Sequence, residues 1–123
     1  MMRKTILVVD DDRDVRHGLS TRLQAYGYDV KFAEDGAQAT AAIKREKPDL
    51  VLLDLGIPAG DGFTVLDRLR DRPEFGALPV IVISARSAAT CMQKAMSGGA
   101  RAYFEKPVEP DELMVAIHQA IGA

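Results

Sequence analysis

Three short apolar runs constrain this chain more than anything else in it: "ILVV" at 6–9, "LVLL" at 50–53 and "VIVI" at 80–83. Each is almost continuously apolar and too short for a buried helix. Runs of this kind suit strands covered on both faces, as in parallel sheets. "YDVKFA" (28–33) behaves differently, alternating Tyr28, Val30 and Phe32 with Asp29 and Lys31. That pattern predicts a strand with one wet face, near a sheet edge. "RAYF" (101–104) is a fifth, shorter candidate.

Helical spacing fills the intervals. Val15, Leu19 and Leu23 follow the first strand and stop at Gly27. Residues 37–46 carry Ala39, Ala42 and Ile43 and end at Pro48. Residues 61–71 carry Val65, Leu66 and Leu69, and residues 87–97 carry Ala88, Cys91, Met92, Ala95 and Met96 before Gly98-Gly99. Residues 110–121 carry Leu113, Ala116, Ile117, Ala120 and Ile121. Asp35 and Asp111 sit near helix starts, where carboxylates suit unpaired amides. The reading is (βα)₅, an α/β chain with short connections and no repeats. Alternating elements imply a parallel sheet, with helices on both faces through right-handed crossovers. Five strands are too few for a closed barrel, so an open doubly wound sheet is expected.

A length of 123 residues predicts a single domain over 1–123, able to bury a core without staples. Sixteen basic against 18 acidic residues give no case for a broad nucleic-acid or anionic-membrane surface. Cys91 is the only cysteine, so a reducing compartment, the cytoplasm, is expected. "MMRKTILVV" begins as a signal peptide does, but its apolar run stops at Asp10. No stretch approaches the roughly 20 apolar residues of a membrane span. The chain ends at "AIGA", directly after its last helical pattern, and on that ground either a free-standing unit or one part of a longer protein is expected.

The chemistry is read at the carboxyl ends of the strands, where doubly wound sheets carry their sites. Asp10, Asp11 and Asp12 follow the first run, and Asp54 follows the third. Ser84 follows the fourth, and Glu105, Lys106 and Pro107 the fifth. In a parallel sheet these ends share one rim. Asp54 beside one or two of Asp10 to Asp12 puts like charges a few ångströms apart, which raises carboxylate pKa values. A hard divalent cation relieves that conflict. Mg²⁺ takes oxygen ligands, needs one or two carboxylates and leaves room for a phosphate oxygen. An ionised aspartate is also a nucleophile that can form an acyl phosphate. Lys106 and Ser84 would then stabilise the phosphoryl oxygens by charge and by hydrogen bond.

With "VVDDD" (8–12), "LVLLDLGIP" (50–58), "DG" (61–62), "VIVISA" (80–85) and "GGARAYFEKP" (98–107) in that order and spacing, nearly the whole chain resembles the receiver domain of two-component response regulators, of the chemotaxis-regulator type. The resemblance implies a flavodoxin-like sheet in the order 2-1-3-4-5. It implies Asp54 as phosphoacceptor, with Ser84 and Lys106 as its catalytic partners. It implies a metal site for Mg²⁺, or Mn²⁺, built from Asp11, Asp10, Asp54 and the Gly56 carbonyl. Ser84 and Tyr103 become the switch pair, and Pro107 follows a cis peptide bond, which X-Pro permits. The implied donor is a sensor histidine kinase or phosphotransfer protein. The implied output is a downstream target or fused output domain, bound through the 87–97 helix, the 101–104 strand and the 110–121 helix. Two copies could also pair through that face. Direct nucleic-acid and membrane contacts are not expected, nor is enzyme activity beyond the chain's own phosphotransfer and dephosphorylation. Gly56 stands where a side chain is usual and Ile57 where Met is common; with Gly56, Arg86 marks a second variable position near the site.

Two other readings stay open. A haloacid-dehalogenase-type Mg²⁺ phosphatase would use Asp10 as nucleophile in an Asp10-x-Asp12 pair, although Arg13 and Asp14 continue that motif poorly. A receiver-like binding module would need no phosphate at all. Asp12 and Asp14 read as helix-starting residues, Cys91 as small apolar packing, His17 and His118 as isolated surface groups, and "KREK" (44–47) as a solvated helix end.

Overall fold

In the computed structural model, which describes residues 3–58 and 61–122, the apolar runs become the middle of one five-stranded sheet. The strands are β1 (Thr5–Val9), β2 (Asp29–Ala33), β3 (Leu50–Leu53), β4 (Val80–Ser84) and β5 (Ala102–Glu105). All pairings are parallel, in the order β2-β1-β3-β4-β5. The expected open sheet is therefore present, with the chain reversing direction of growth beside β1 and β3.

Alternate strand residues face opposite layers. Leu7, Val9, Val51, Leu53, Val80 and Val82 pack against α2 (Gly36–Glu46), α3 (Gly62–Arg70) and α4 (Ala88–Ser97). Ile6, Val8, Leu50, Leu52, Ile81 and Ile83 pack against α1 (Arg13–Ala25) and α5 (Pro110–Ile121). Both faces of the three central strands are covered, which is why their sequences lack polar alternation.

β2 departs from its expected pattern. Tyr28 is buried as predicted, but Phe32 is 46% exposed. β2 is an edge strand with β1 as its one sheet neighbour, so the outer flank of Phe32 meets solvent. A short 3₁₀ turn at Pro73–Phe75, absent from the sequence reading, is too brief to leave a period.

The helix starts all carry side-chain caps. Asp12, Asp35, Asp61, Ser87 and Glu109 accept backbone N–H bonds in the first turns of α1 to α5 respectively. Asp12 and Asp35 thus begin helices as read, and Asp111 lies in the first turn of α5, which Glu109 caps. Gly27, with φ of 92°, turns the chain after α1 through a conformation that side chains disfavour. Because helices run antiparallel to strands, the capped N-termini ring the same rim as the strand ends. No helix among the described residues is long and apolar enough to cross a membrane.

Candidate functional site

β1 and β3 deliver their terminal aspartates side by side. The Asp10 N–H donates to the Ala33 carbonyl at 3.1 Å, and the Asp54 N–H donates to the Val9 carbonyl at 2.9 Å. Sheet hydrogen bonding therefore continues one residue past each strand and sets both backbones. Both aspartates are buried, whereas Asp11 is exposed. Asp10, Asp11 and Asp54 each offer a carboxylate oxygen within 4.8 Å of the others.

Lys106 reaches into this cluster from the end of β5. Its Nζ lies 2.8 Å from Asp10 Oδ2 and 3.4 Å from Asp54 Oδ2. Its own N–H donates to the Ser84 carbonyl at 2.8 Å, and the Lys106–Pro107 bond is cis. The remaining carboxylate oxygens are also engaged. Asp10 Oδ1 accepts the Asp12 N–H at 2.9 Å, and Asp54 Oδ1 accepts the Gly56 N–H at 3.0 Å.

The electrostatics follow from burial and pairing. Burial pushes the Asp10 carboxyl above its ordinary value, and the contacts with Lys106 and the Asp12 amide offset only part of that rise. Burial alone would lower the Lys106 ammonium. Its pairs with Asp10 and Asp54 outweigh that and hold it above its usual value, so it stays charged. One ammonium thus faces three clustered carboxylates, an excess of negative charge suited to a cation. The donors are hard carboxylate oxygens, which fit Mg²⁺ and Mn²⁺.

Ser84 sits buried at the end of β4. Its Oγ accepts the Arg86 N–H at 3.1 Å, and no hydrogen bond among the described residues joins that hydroxyl to the side chain of Asp54 or Lys106. The carbonyl of that same residue, Arg86, accepts the Tyr103 hydroxyl at 2.8 Å. Ser84 and Tyr103 therefore hold opposite ends of one residue's backbone. Tyr103 is half-buried against the α2–α3–α4 layer, beside Cys91, and burial raises its phenol pKa.

Gly56 is exposed, and a Cβ built there would meet Asp54 Oδ1 at 3.7 Å, an ordinary contact. The glycine is a departure in chemistry rather than a steric necessity. Gly62 is the reverse case. A Cβ there would lie 2.6 Å from the Leu55 Cα and 2.8 Å from the Asp54 carbonyl oxygen. The "DG" pair is thus explained: Asp61 caps α3, and Gly62 lets that helix start against the peptide that follows the candidate phosphoacceptor.

Asp12 is not in the site. Its carboxylate accepts the amides of Asp14 and Val15. The Asp10-x-Asp12 pair needed for a dehalogenase-type phosphatase is consequently not assembled. His17 and His118 are exposed and belong to no such cluster among the described residues.

Two contacts near the site escaped the sequence reading. Glu105 accepts the Ala88 N–H at 2.8 Å, tying β5 to the start of α4. Arg16 donates from Nη1 to the Asp10 carbonyl at 2.8 Å. A cation in the opening turns of a helix runs against the helix dipole, and that anomaly was the available sign.

The family model described as "Response regulator receiver domain" matches residues 6–118. The chain is 37% identical over 116 residues to the transcriptional regulatory protein KdpE of Staphylococcus aureus, covering 94% of this chain and 49% of that protein. It is 34% identical over 117 residues to the protein PilH of Pseudomonas aeruginosa, covering 95% and 97%. A crystal structure from Chloroflexus aurantiacus, described as a candidate response regulator, superposes with a TM-score of 0.93 at 31% identity, covering 99% and 100%. The chain thus spans about half the length of KdpE and nearly all of PilH. A five-stranded parallel sheet in the order 2-1-3-4-5, a rim carrying aspartates, serine and lysine, and a family match over 113 of 123 residues (6–118) lead to one assignment: the chain belongs to the receiver domains of two-component response regulators.

Proposed function

We propose that this chain is a Mg²⁺-dependent phosphoacceptor switch whose acceptor is Asp54. The observation that carries the reading is the placement of Lys106 against Asp54 beside the Asp10–Asp11 pair. Asp10, Asp11, Asp54 and the Gly56 carbonyl would hold the cation. Bound there, Mg²⁺ (or Mn²⁺) supplies screening of the carboxylates and of the phosphoryl oxygens.

The protein's own part follows from the contacts. An Asp54 carboxylate oxygen forms the new O–P bond as the P–N bond to the donor imidazole breaks, and that ring nitrogen takes a proton from solvent. Lys106 donates to a phosphoryl oxygen by a charge-assisted bond. Hydrolysis of the acyl phosphate by water later returns Asp54 and inorganic phosphate. No other enzymatic activity is assigned.

The Ser84 hydroxyl leaves the Arg86 N–H and donates to the phosphoryl group. The Arg86 backbone then shifts, and the Tyr103 hydroxyl bonded to its carbonyl moves with it. The result is a changed face on α4, β5 and α5, where Met92 and Met96 of α4 are exposed apolar groups suited to docking. Phosphate donors are a histidine kinase or phosphotransfer protein. Receivers of the signal are a target protein, a fused output domain or a second copy. Direct nucleic-acid contact is not part of the reading, and the compartment is the cytoplasm. Residues 1–123 act as one receiver unit.

The test is treatment with a small phosphodonor and Mg²⁺, then intact mass. Wild type gains one phosphoryl group and Asp54→Ala gains none. No gain on wild type, or equal gain on Asp54→Ala, removes the proposal. Labelling at Asp10 with steady ester turnover would instead favour the phosphatase reading.

A further inference from the structure

We infer that Arg16 is a positioning residue for the two metal carboxylates Asp10 and Asp11, acting through the peptide group that joins them. The inference rests on the cation-dependent reading above. Arg16 lies in the opening turns of α1, yet its side chain is only 14% exposed. Its Nη1 donates to the Asp10 carbonyl at 2.8 Å. That carbonyl belongs to the Asp10–Asp11 peptide, so its direction sets the plane from which both carboxylates project. β1 ends at Val9, and the first α1 bond is accepted by Asp12, from the Arg16 N–H at 3.1 Å. The Asp10 carbonyl therefore lies beyond the strand and before the helix, in a gap where neither ladder serves it. A carbonyl in that position needs a partner, and the guanidinium supplies a charged one.

The Asp10 N–H is held by the Ala33 carbonyl. With Arg16 on its carbonyl, both polar backbone groups of Asp10 are anchored, one by β2 and one by α1. Arg16 does this without pairing with the site's own carboxylates. Its ion-pair partner is Glu34 at 3.7 Å, and Glu34 is 61% exposed. The guanidinium brings positive charge near the cluster and leaves the Asp10 and Asp11 oxygens to the cation and Lys106. Groups that orient metal ligands commonly change affinity 10- to 100-fold when removed.

The experiment is titration of the chain with Mg²⁺ alone, read from backbone amide shifts or calorimetry, with thermal unfolding measured on each variant. Arg16→Ala raises the Mg²⁺ dissociation constant about tenfold. Arg16→Lys, with a single ammonium nitrogen and no planar fork, gives an intermediate value and carries the test if Arg16→Ala does not fold. Glu34→Gln stays within about twofold, because an exposed pair at that distance contributes little. Ala42→Gly, in α2 away from the rim, controls for destabilisation alone and leaves Mg²⁺ affinity unchanged. An Arg16→Ala constant equal to wild type overturns the inference while leaving the metal reading intact. So does an equal loss in Ala42→Gly. Wild type that binds no Mg²⁺ overturns the metal reading and this inference with it.

Discussion

Gly62→Ala is the sharpest perturbation available, because one methyl group tests both packing and function. A Cβ at this position meets the Leu55 Cα at 2.6 Å, the Asp54 carbonyl oxygen at 2.8 Å and the Leu55 Cδ2 at 2.9 Å. Two of these are backbone atoms, which cannot rotate aside. Restoring the closest contact to 3.4 Å requires α3 and the Asp54–Leu55 segment to separate by 0.8 Å. The Gly62 N–H bond to the Leu55 carbonyl, 3.1 Å long, lies on the same line of strain. Overpacking of this kind costs about 1–3 kcal/mol. For a chain of this size that lowers Tm by roughly 4–12 °C, at about 4 °C per kcal/mol. The displaced segment also carries Asp54, and a misplacement near 1 Å at a reacting group can cost about 100-fold in rate. We expect Gly62→Ala to unfold earlier by circular dichroism and to take up phosphate about 10- to 100-fold more slowly by intact mass. An unchanged Tm refutes the packing argument. A lowered Tm with a wild-type labelling rate refutes the coupling between α3 and Asp54.

Two further outcomes follow from the site. Burial keeps the Asp10 carboxyl above 3.8, so the folded chain holds that proton to higher pH than the unfolded chain does. Folding is then weakened as pH rises from 3.8 through the raised value. Without divalent cation, Asp10→Asn should melt above wild type at neutral pH, and the gap should close as pH falls toward 3.8; a more stable wild type at neutral pH contradicts this. Tyr103→Phe keeps the ring against α4 and deletes the bond to the Arg86 carbonyl, a loss of about 1 kcal/mol or less because water can replace it. Asp54 labelling should be unchanged, while amide shifts of α4 and β5 on phosphorylation shrink; undiminished shifts would remove Tyr103 from the switch.

Much of this molecule was readable from the chain because two-sided burial writes itself into composition. The three central strands could be recognised from their unbroken apolar runs, and the parallel direction imposed by alternating strands and helices then brought their carboxyl ends to one rim. Asp10, Asp54, Ser84 and Lys106 follow directly from that logic. Helix starts were also readable where a capping aspartate preceded the apolar period, as at Asp12 and Asp35. The limits lie where contacts join residues far apart in sequence. Phe32 alternates as a buried residue should, but edge position is a property of the assembled sheet. Gly62 looks like a turn glycine until Leu55 is placed against it.

What the sequence determined by itself was therefore the set of chemical groups and the rim on which they meet, since hydrophobic period and crossover handedness act locally along the chain. What only the tertiary structure decided was which oxygen each group engages. Lys106 chooses both Asp10 and Asp54, Asp12 turns away to cap α1, and Arg16 reaches back to the Asp10 carbonyl. These choices depend on distances of about 3 Å between segments up to 96 residues apart, and hydrogen bonding of that range is set by packing rather than by pattern.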